Sequence, residues 1–95
     1  MYVRMVIGEA INLDQVRQFQ SMFQEEIRAE ILKEDGNLGA DLMTEEGGSM
    51  LLIMTRWRDR ESCLRYHSSR AYRQMVAKTQ HLLIGDFVVK IFKTG

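Results

Sequence analysis

One apolar segment decides which folds this chain can adopt. Its residues, Met50–Trp57, read MLLIMTRW and are apolar at almost every position, so a strand formed by them is apolar on both faces. A chain of 95 residues supplies one layer of helices, which covers one face of a sheet. The sequence therefore predicts another cover for the second face. Because side chains alternate along a strand, one face carries Leu51, Ile53, Thr55 and Trp57, and the other carries Met50, Leu52, Met54 and Arg56.

The first half of the chain predicts a strand, a helix and a second strand. Tyr2–Ala10 is rich in the Val, Ile, Met and Tyr residues that favour strands. Asn12 and Gln15 have the spacing of a capping box, so a helix is expected to begin there and to stop at Gly36. Leu38–Thr44 is predicted as a strand weakened by its glycine. The glycine-containing turn after it predicts an antiparallel hairpin with the apolar segment.

The second half predicts a helix interrupted once and a final strand. Asp59 can cap a helix that extends to about Leu83. Ser69 is placed to cap a new helical segment, so we expect a break there and not one straight helix. Gly85 is expected to end the helix, and Asp86–Lys93 is predicted as the fourth strand.

The resulting order, strand-helix-strand-strand-helix-strand, predicts a single α+β domain over residues 1–95 with the ferredoxin-like βαββαβ arrangement. Two helices lie on one face of its four-stranded antiparallel sheet. Leaving Met50, Leu52 and Met54 exposed on the other face would forgo roughly 5 kcal/mol, at about 1.5 to 3 kcal/mol per buried side chain. We therefore predict a homodimer joined through the sheet face.

Charge is balanced overall but divided unevenly along the chain. There are 13 basic and 13 acidic residues, so no global positive field favours nucleic acid or an acidic membrane surface. Residues 1–55 carry 4 basic and 10 acidic side chains, and residues 56–95 carry 9 and 3. Either the halves neutralise each other, or the basic run forms an entrance for an anionic ligand. That run contains Arg56, Arg58, Arg60, Arg65, Arg70 and Arg73.

Cysteine content and hydropathy indicate the compartment and exclude several kinds of site. Cys63 is the only cysteine, which excludes an intramolecular disulfide framework and a multi-cysteine metal site and favours the reducing cytoplasm. No apolar run reaches the ~18 residues of a membrane-spanning helix, and no signal peptide is recognised. No glycine-rich phosphate loop is present. No metal, flavin, nucleotide or other cofactor is therefore expected.

The second half also carries a family resemblance. WRDRE at 57–61 is followed by Tyr66 and by SRAY at 69–72, and together with the predicted topology this resembles the antibiotic biosynthesis monooxygenase family of dimeric α/β-barrel proteins. The resemblance spans essentially the whole chain. Proteins of this kind include cofactor-independent oxygenases of quinol-like aromatics, haem-degrading enzymes, isomerases and proteins with no known reaction. The resemblance implies a pocket between sheet and helices and a dimer in which two sheets face each other.

The residues carried over from the family form a partial set. Trp57 matches the strand-end tryptophan that lines the pocket of oxygenase members, whereas Ile53 and Cys63 stand where those members have Asn and Tyr. The haem-degrading branch has an Asn in the first strand and an axial His nine or ten residues after the position of Tyr66. Here the first strand has no Asn, and Met75 and Val76 occupy the later positions. This argues against a haem enzyme.

The remaining candidates for chemistry surround the helix break. His67 is the natural general base because its unperturbed pKa lies near neutrality, and Tyr66 is its candidate catalytic partner. A lone histidine can equally be a surface residue, and the tyrosines and Trp57 can equally be core. Two functions stay open. One is a cofactor-independent monooxygenase, or a related small-molecule-modifying enzyme such as an isomerase, that acts on an aromatic or carbonyl compound. The other is a non-catalytic small-molecule-binding or interaction protein. The candidate substrate-binding residues are Trp57, Tyr72, Ile53 and Arg70.

Overall fold

The computed structural model describes residues 1–95, and its four strands form one antiparallel sheet. The strands are β1 (Tyr2–Glu9), β2 (Asn37–Thr44), β3 (Met50–Trp57) and β4 (Val88–Lys93). Their order across the sheet is β2-β3-β1-β4, which is the ferredoxin-like arrangement and confirms the predicted fold class. The chain has no helix that is both long enough and apolar enough to span a bilayer.

The helical layer lies on one face of the sheet and is built from two helical stretches. The first contains α1 (Leu13–Met22), a π-helical turn (Phe23–Ile27) and α2 (Arg28–Leu32). The second contains α3 (Arg60–His67), α4 (Arg70–Thr79) and a 3₁₀ turn (Gln80–Leu82).

The two faces of β3 are divided as predicted. Leu51, Ile53 and Trp57 are buried in the core against the helices. Met50 and Leu52 lie on the opposite face. Met50 is 37% exposed, and Leu52 is half-buried. The register pairs Leu52 with Ile7 of β1 and Met43 of β2, so apolar side chains continue across this face. It carries no helices, and we call it the open face. Its apolar residues are Val3, Met5, Ile7, Met43, Met50, Leu52, Met54, Val88 and Phe92.

The first helix begins as predicted but ends earlier. The Asn12 side chain accepts a hydrogen bond from the backbone N–H of Gln15 at 3.1 Å. The reciprocal half of the capping box is absent, because Oε1 of Gln15 has no partner. Gly36 was the wrong stop: the helix ends at Leu32, and Gly36 lies four residues further on with φ +83°. There its carbonyl accepts from the N–H of Arg58 at 2.8 Å.

The π-helical turn was not predicted, although the spacing of the core residues explains it. Phe19, Phe23, Ile27 and Ile31 are all buried and recur every four residues. With 3.6 residues per turn, each such step rotates the side chain about 40° past its predecessor. A wider turn with an i→i+5 hydrogen bond, here from the N–H of Arg28 to the carbonyl of Phe23, offsets this drift. All four side chains therefore stay in the core.

The second helical stretch is broken at the predicted serine and ends close to the predicted position. The Ser69 hydroxyl accepts from the N–H of Tyr72 at 3.1 Å and donates to the carbonyl of Tyr66 at 2.7 Å. The α-helix ends at Thr79, and the 3₁₀ turn continues the stretch to Leu82. Leu83 follows directly and forms an isolated bridge with Ala10. The fourth strand accordingly starts at Val88 and not at residue 86.

The serine cap makes a measurable contribution to stability. The substitution Ser69→Ala removes the acceptor of the Tyr72 N–H, so the free energy of unfolding in urea should fall by about 0.5 to 2 kcal/mol. Ser69→Asp keeps a capping acceptor and should restore most of this loss. If Ser69→Ala leaves the unfolding midpoint unchanged, the break is set by other contacts.

Candidate functional site

The buried tryptophan at the end of β3 is the inner wall of the candidate site. Trp57 is 0% exposed, and its Nε1 donates to Oγ1 of Thr55 at 2.8 Å. Its ring centroid lies 5.0 Å from that of Tyr66, with 31° between the ring planes. This contact joins the sheet to α3, so the position of Tyr66 depends on the end of β3.

The start of α3 fixes which of its side chains face inward. The Asp59 carboxylate accepts from the backbone N–H of Ser62 at 2.8 Å. This bond, aided by Arg58, lowers the pKa of Asp59 to about 2, so the cap is ionised at neutral pH. From this start, Ser62, Cys63 and Tyr66 are buried.

The next residue along α3 brings an imidazole to the border between core and solvent. His67 is exposed and ends α3, and its ring centroid lies 5.3 Å from that of Tyr72 with 32° between the planes. Tyr72 and Tyr66 meet edge to face, at 5.4 Å and 64°. The break at Ser69 turns the chain so that Tyr72 returns to the rings of α3. The structure thus brings together four residues predicted as site residues: Trp57, Tyr66, His67 and Tyr72.

A buried arginine from β1 completes this group, and sequence reasoning missed it. Arg4 is 0% exposed, and its Cζ lies 4.3 Å from the ring centroid of Tyr72 and 5.1 Å from that of Tyr66. Its Nη2 is 2.6 Å from Nδ1 of His67. We call these residues the aromatic–arginine cluster. Its members are Arg4, Trp57, Tyr66, His67 and Tyr72.

The contact between Arg4 and His67 assigns the imidazole tautomer. A guanidinium has only donors, so Nδ1 of His67 must be the acceptor. In this state Nε2 carries the ring proton, and the basic lone pair points toward the guanidinium. A proton acceptor and a cationic donor are therefore adjacent in the cluster.

Burial raises the pKa values of two groups near Arg4, one in the cluster and one beside it. It raises the pKa of the Tyr66 hydroxyl, with the positive charge of Arg4 acting in the opposite direction. It also raises the pKa of the Cys63 thiol, again against the charge of Arg4. Tyr66 therefore remains a protonated hydroxyl, able to donate a hydrogen bond, and Cys63 remains an inert buried thiol.

Two predicted substrate-binding residues lie apart from the polar end of the cluster. Ile53 is 1% exposed and packs within the core. Arg70 is exposed and lines a cleft of about 550 Å³ between α2 and α4, together with glutamates such as Glu26 and Glu30. Between the sheet and the helices, the space at the cluster is filled by the cluster's own rings. Access to the cluster therefore runs past its exposed member, His67.

Three of the six arginines of the basic run pair with acidic residues of the first half. Arg56 binds Asp41 at 2.8 Å, and Arg65 binds Asp35 at 3.2 Å. Arg58 also approaches Asp35, at 3.8 Å. These exposed pairs contribute little stability, but they favour mutual neutralisation over an open basic entrance. Arg4, the buried arginine of β1, has no carboxylate partner.

The fold and its cluster define the chain as a small ferredoxin-like α+β protein with a polar aromatic centre between sheet and helices. The family model described as antibiotic biosynthesis monooxygenase matches residues 5–78. The chain belongs to the antibiotic biosynthesis monooxygenase family. Comparison with curated proteins gives no match.

Solved structures of the same fold include proteins described as oxygenases. The monooxygenase from the gene ActVA-Orf6 of Streptomyces coelicolor, solved with Nanaomycin D, has a TM-score of 0.85 at 11% identity, over 99% of this chain and 87% of that one. SnoaB, a cofactor-independent oxygenase from Streptomyces nogalater, has a TM-score of 0.77 at 15% identity, over 98% and 92%. A conserved protein from Methanosarcina mazei has a TM-score of 0.81 at 19% identity, over 100% and 94%. At these identities the likeness establishes the fold.

Proposed function

We propose that this chain is a cofactor-independent monooxygenase that oxidises a quinol-like aromatic compound at the aromatic–arginine cluster. The observation that carries the proposal is the position of Nδ1 of His67, an acceptor 2.6 Å from the buried guanidinium of Arg4 and beside the ring of Tyr72. A cofactor-free oxygenase needs a base, a stabiliser of the resulting anion and an apolar site. Membership of a monooxygenase family supports the same reaction class.

The first step is proton transfer from the substrate. A substrate hydroxyl that enters between His67 and Arg4 gives its proton to Nδ1, while the guanidinium binds the oxygen left negatively charged. His67 is exposed, so its ring can move outward to admit the substrate. Tyr66, kept protonated by burial, donates to a second substrate oxygen. Tyr72 offers its ring for stacking.

The second step is oxygenation of the electron-rich anion. The anion is the enolate of an anthrone-type compound, whose hydroxyl forms when one methylene hydrogen moves from carbon to the ketone oxygen. The enolate transfers electrons to dioxygen, and a carbon–oxygen bond forms at the former methylene carbon, which keeps one hydrogen, while the proton held by His67 returns to the peroxide oxygen. The hydroperoxide then loses water and leaves a carbonyl. One oxygen atom enters the product and the other leaves as water with both methylene hydrogens, so the substrate supplies all the electrons. No external reductant is needed.

Oxygen uptake tests the proposal with a matched pair of histidine variants. Aerobic turnover of a panel of quinols and anthrones by wild type should be lowered about a hundredfold or more by His67→Ala, the typical effect of losing a general base. His81→Ala alters an exposed histidine in the 3₁₀ turn and should leave turnover unchanged. Trp57→Phe, which shrinks the inner wall, should lower kcat/KM.

Two outcomes would contradict the oxygenase proposal. One is oxygen uptake that neither His67→Ala nor Trp57→Phe changes. The other is the absence of uptake with every compound, together with tight binding of some of them. The second result would favour the other candidate, a non-catalytic small-molecule-binding or interaction protein.

We further propose that the active form is a homodimer joined through the open face. Four large apolar side chains there are between 37% and 52% exposed, and a shallow depression of about 300 Å³ lies at its β2-β3 side. A contiguous apolar patch of this kind marks an association surface. The exposed residues are Met43, Met50, Val88 and Phe92.

A further inference from the structure

We propose that the guanidinium of Arg4 is an anion subsite, and that the substrate is an aromatic compound that already carries an ionised oxygen, such as a carboxylate, when it binds. The inference rests on the proposed function in that it names the substrate class of the same site. It concerns atoms that the proton-transfer step does not use, namely Nε and Nη1 of Arg4.

The charge of Arg4 has no counter-ion in this chain. The residue is 0% exposed, and none of the seven ion pairs includes it. The one hydrogen bond of its guanidinium goes to His67, which is a neutral acceptor in the assigned tautomer. Burying an unpaired charge is strongly unfavourable. A buried guanidinium without a counter-ion is suited to bind a ligand of opposite charge.

The neighbouring rings compensate only part of this charge. Tyr66 and Tyr72 are in cation–π contact with the guanidinium. The N–H donors, however, lie in the guanidinium plane, where a ring face offers no lone pair. Nε and Nη1 are buried and have no acceptor in the chain. Because burial keeps Tyr66 and Cys63 protonated, neither supplies a negative charge.

The sheet beside Arg4 offers an apolar floor for an aromatic ligand. The register places Ile91 of β4 directly opposite Arg4, on the same face of the sheet. Ile91 is 42% exposed, so the helices leave this part of their own face uncovered. With its ring over Ile91 and its anionic group directed inward past His67, a ligand would bring an acceptor to Nε and Nη1.

Anaerobic binding of two matched probes tests the subsite without requiring turnover. The probes are 2-naphthoate and 2-naphthamide, which share the ring and differ in charge. Trp57, the only tryptophan, lies against Tyr66 and reports binding by fluorescence. Wild type should bind naphthoate at least about tenfold more tightly than naphthamide, the ratio expected for one charge-assisted hydrogen bond.

Three arginine variants assign the preference to one side chain. Arg4→Met should abolish the preference for naphthoate over naphthamide, and Arg4→Lys, which keeps the charge, should retain part of this preference. Arg60→Met makes the same change of net charge at an exposed position at the start of α3 and should retain all of it. In wild type labelled with ¹⁵N-arginine, the Nε–H resonance of Arg4 should shift with naphthoate and not with naphthamide.

The proposed anion subsite and the proposed oxygenase reaction are contradicted by different results. Equal affinity for the two probes in wild type, or a preference that survives in Arg4→Met, would overturn the anion subsite. An unmoved Arg4 Nε–H resonance would overturn it even if Arg4→Met does not fold. Selective naphthoate binding without oxygen uptake on any substrate would leave the subsite standing and contradict only the monooxygenase.

Discussion

The substitution Leu52→Glu is expected to abolish the proposed homodimer and to give a monomer or an aggregate. Leu52 lies in the middle of the open face, between Ile7 of β1 and Met43 of β2. In a sheet-to-sheet dimer its side chain is buried among the apolar residues of the open face. An unpaired carboxylate at such a position costs several kcal/mol, which is enough to separate two chains of this size.

Sedimentation at micromolar concentration measures this effect. Wild type should sediment with twice the chain mass of 11.1 kDa, and Leu52→Glu should not. Leu64→Glu is the matched control, because it introduces the same carboxylate on the helical side of the sheet. Leu64 lies on α3 and is 40% exposed. This variant should remain dimeric. Wild type that sediments as an 11.1 kDa species would remove the basis of the dimer proposal.

Strand faces and helix caps were predictable because they depend on local chemistry. The alternation of side chains in Met50–Trp57 identified Leu51 and Ile53 as one face before any partner strand was known. Asn12, Asp59 and Ser69 each cap a helix in the structure. At these positions a single side chain satisfies the N–H groups of its own first turn, so neighbouring residues carry all the necessary information.

The end of the first helix and the start of the fourth strand were predicted less well, because they depend on distant contacts. Gly36 can adopt a positive φ, but its backbone is held by Arg58 at the end of β3, and the helix stops at Leu32 before reaching it. After the helical stretch ends at Leu82, Leu83 pairs with Ala10, and the fourth strand starts only at Val88 and not at residue 86. Neither partner can be identified from the residues next to the helix end.

The site was predicted in part, and the missing part is explained by sheet register. The aromatic and imidazole members lie close together in sequence, between Trp57 and Tyr72, so their grouping could be predicted from the sequence. Arg4 lies more than fifty residues away and reaches them only because β1 pairs with β3, which sets Arg4 opposite Thr55. One signal was available. Because side chains alternate along a strand, Arg4 lies on the same face of the predicted first strand as Val6, and an arginine on the buried face of a central strand needs an explanation.

Replacing Arg4 by methionine is expected to make the protein more stable while removing its anion subsite. Cation–π contacts with Tyr66 and Tyr72 return about 0.5 to 2 kcal/mol each. Against this stands the burial of a charge whose Nε and Nη1 have no acceptor, which costs several kcal/mol. Methionine fills a similar volume and needs no partner. The free energy of unfolding should therefore rise by about 1 to 4 kcal/mol, as in other proteins in which buried ionic groups were replaced by apolar ones.

Urea titration at one fixed protein concentration measures the difference, because the stability of a dimer depends on concentration. Arg60→Met, at an exposed position, should change stability by no more than about 0.5 kcal/mol. Adding 2-naphthoate at about 100 times its Kd should stabilise wild type by about 2.7 kcal/mol and leave Arg4→Met unchanged, so the gap between them narrows. A less stable Arg4→Met would show that the chain already compensates the buried charge. In that case Arg4 would serve to hold Tyr66, His67 and Tyr72 together, and the case for a ligand charge at this position would be lost.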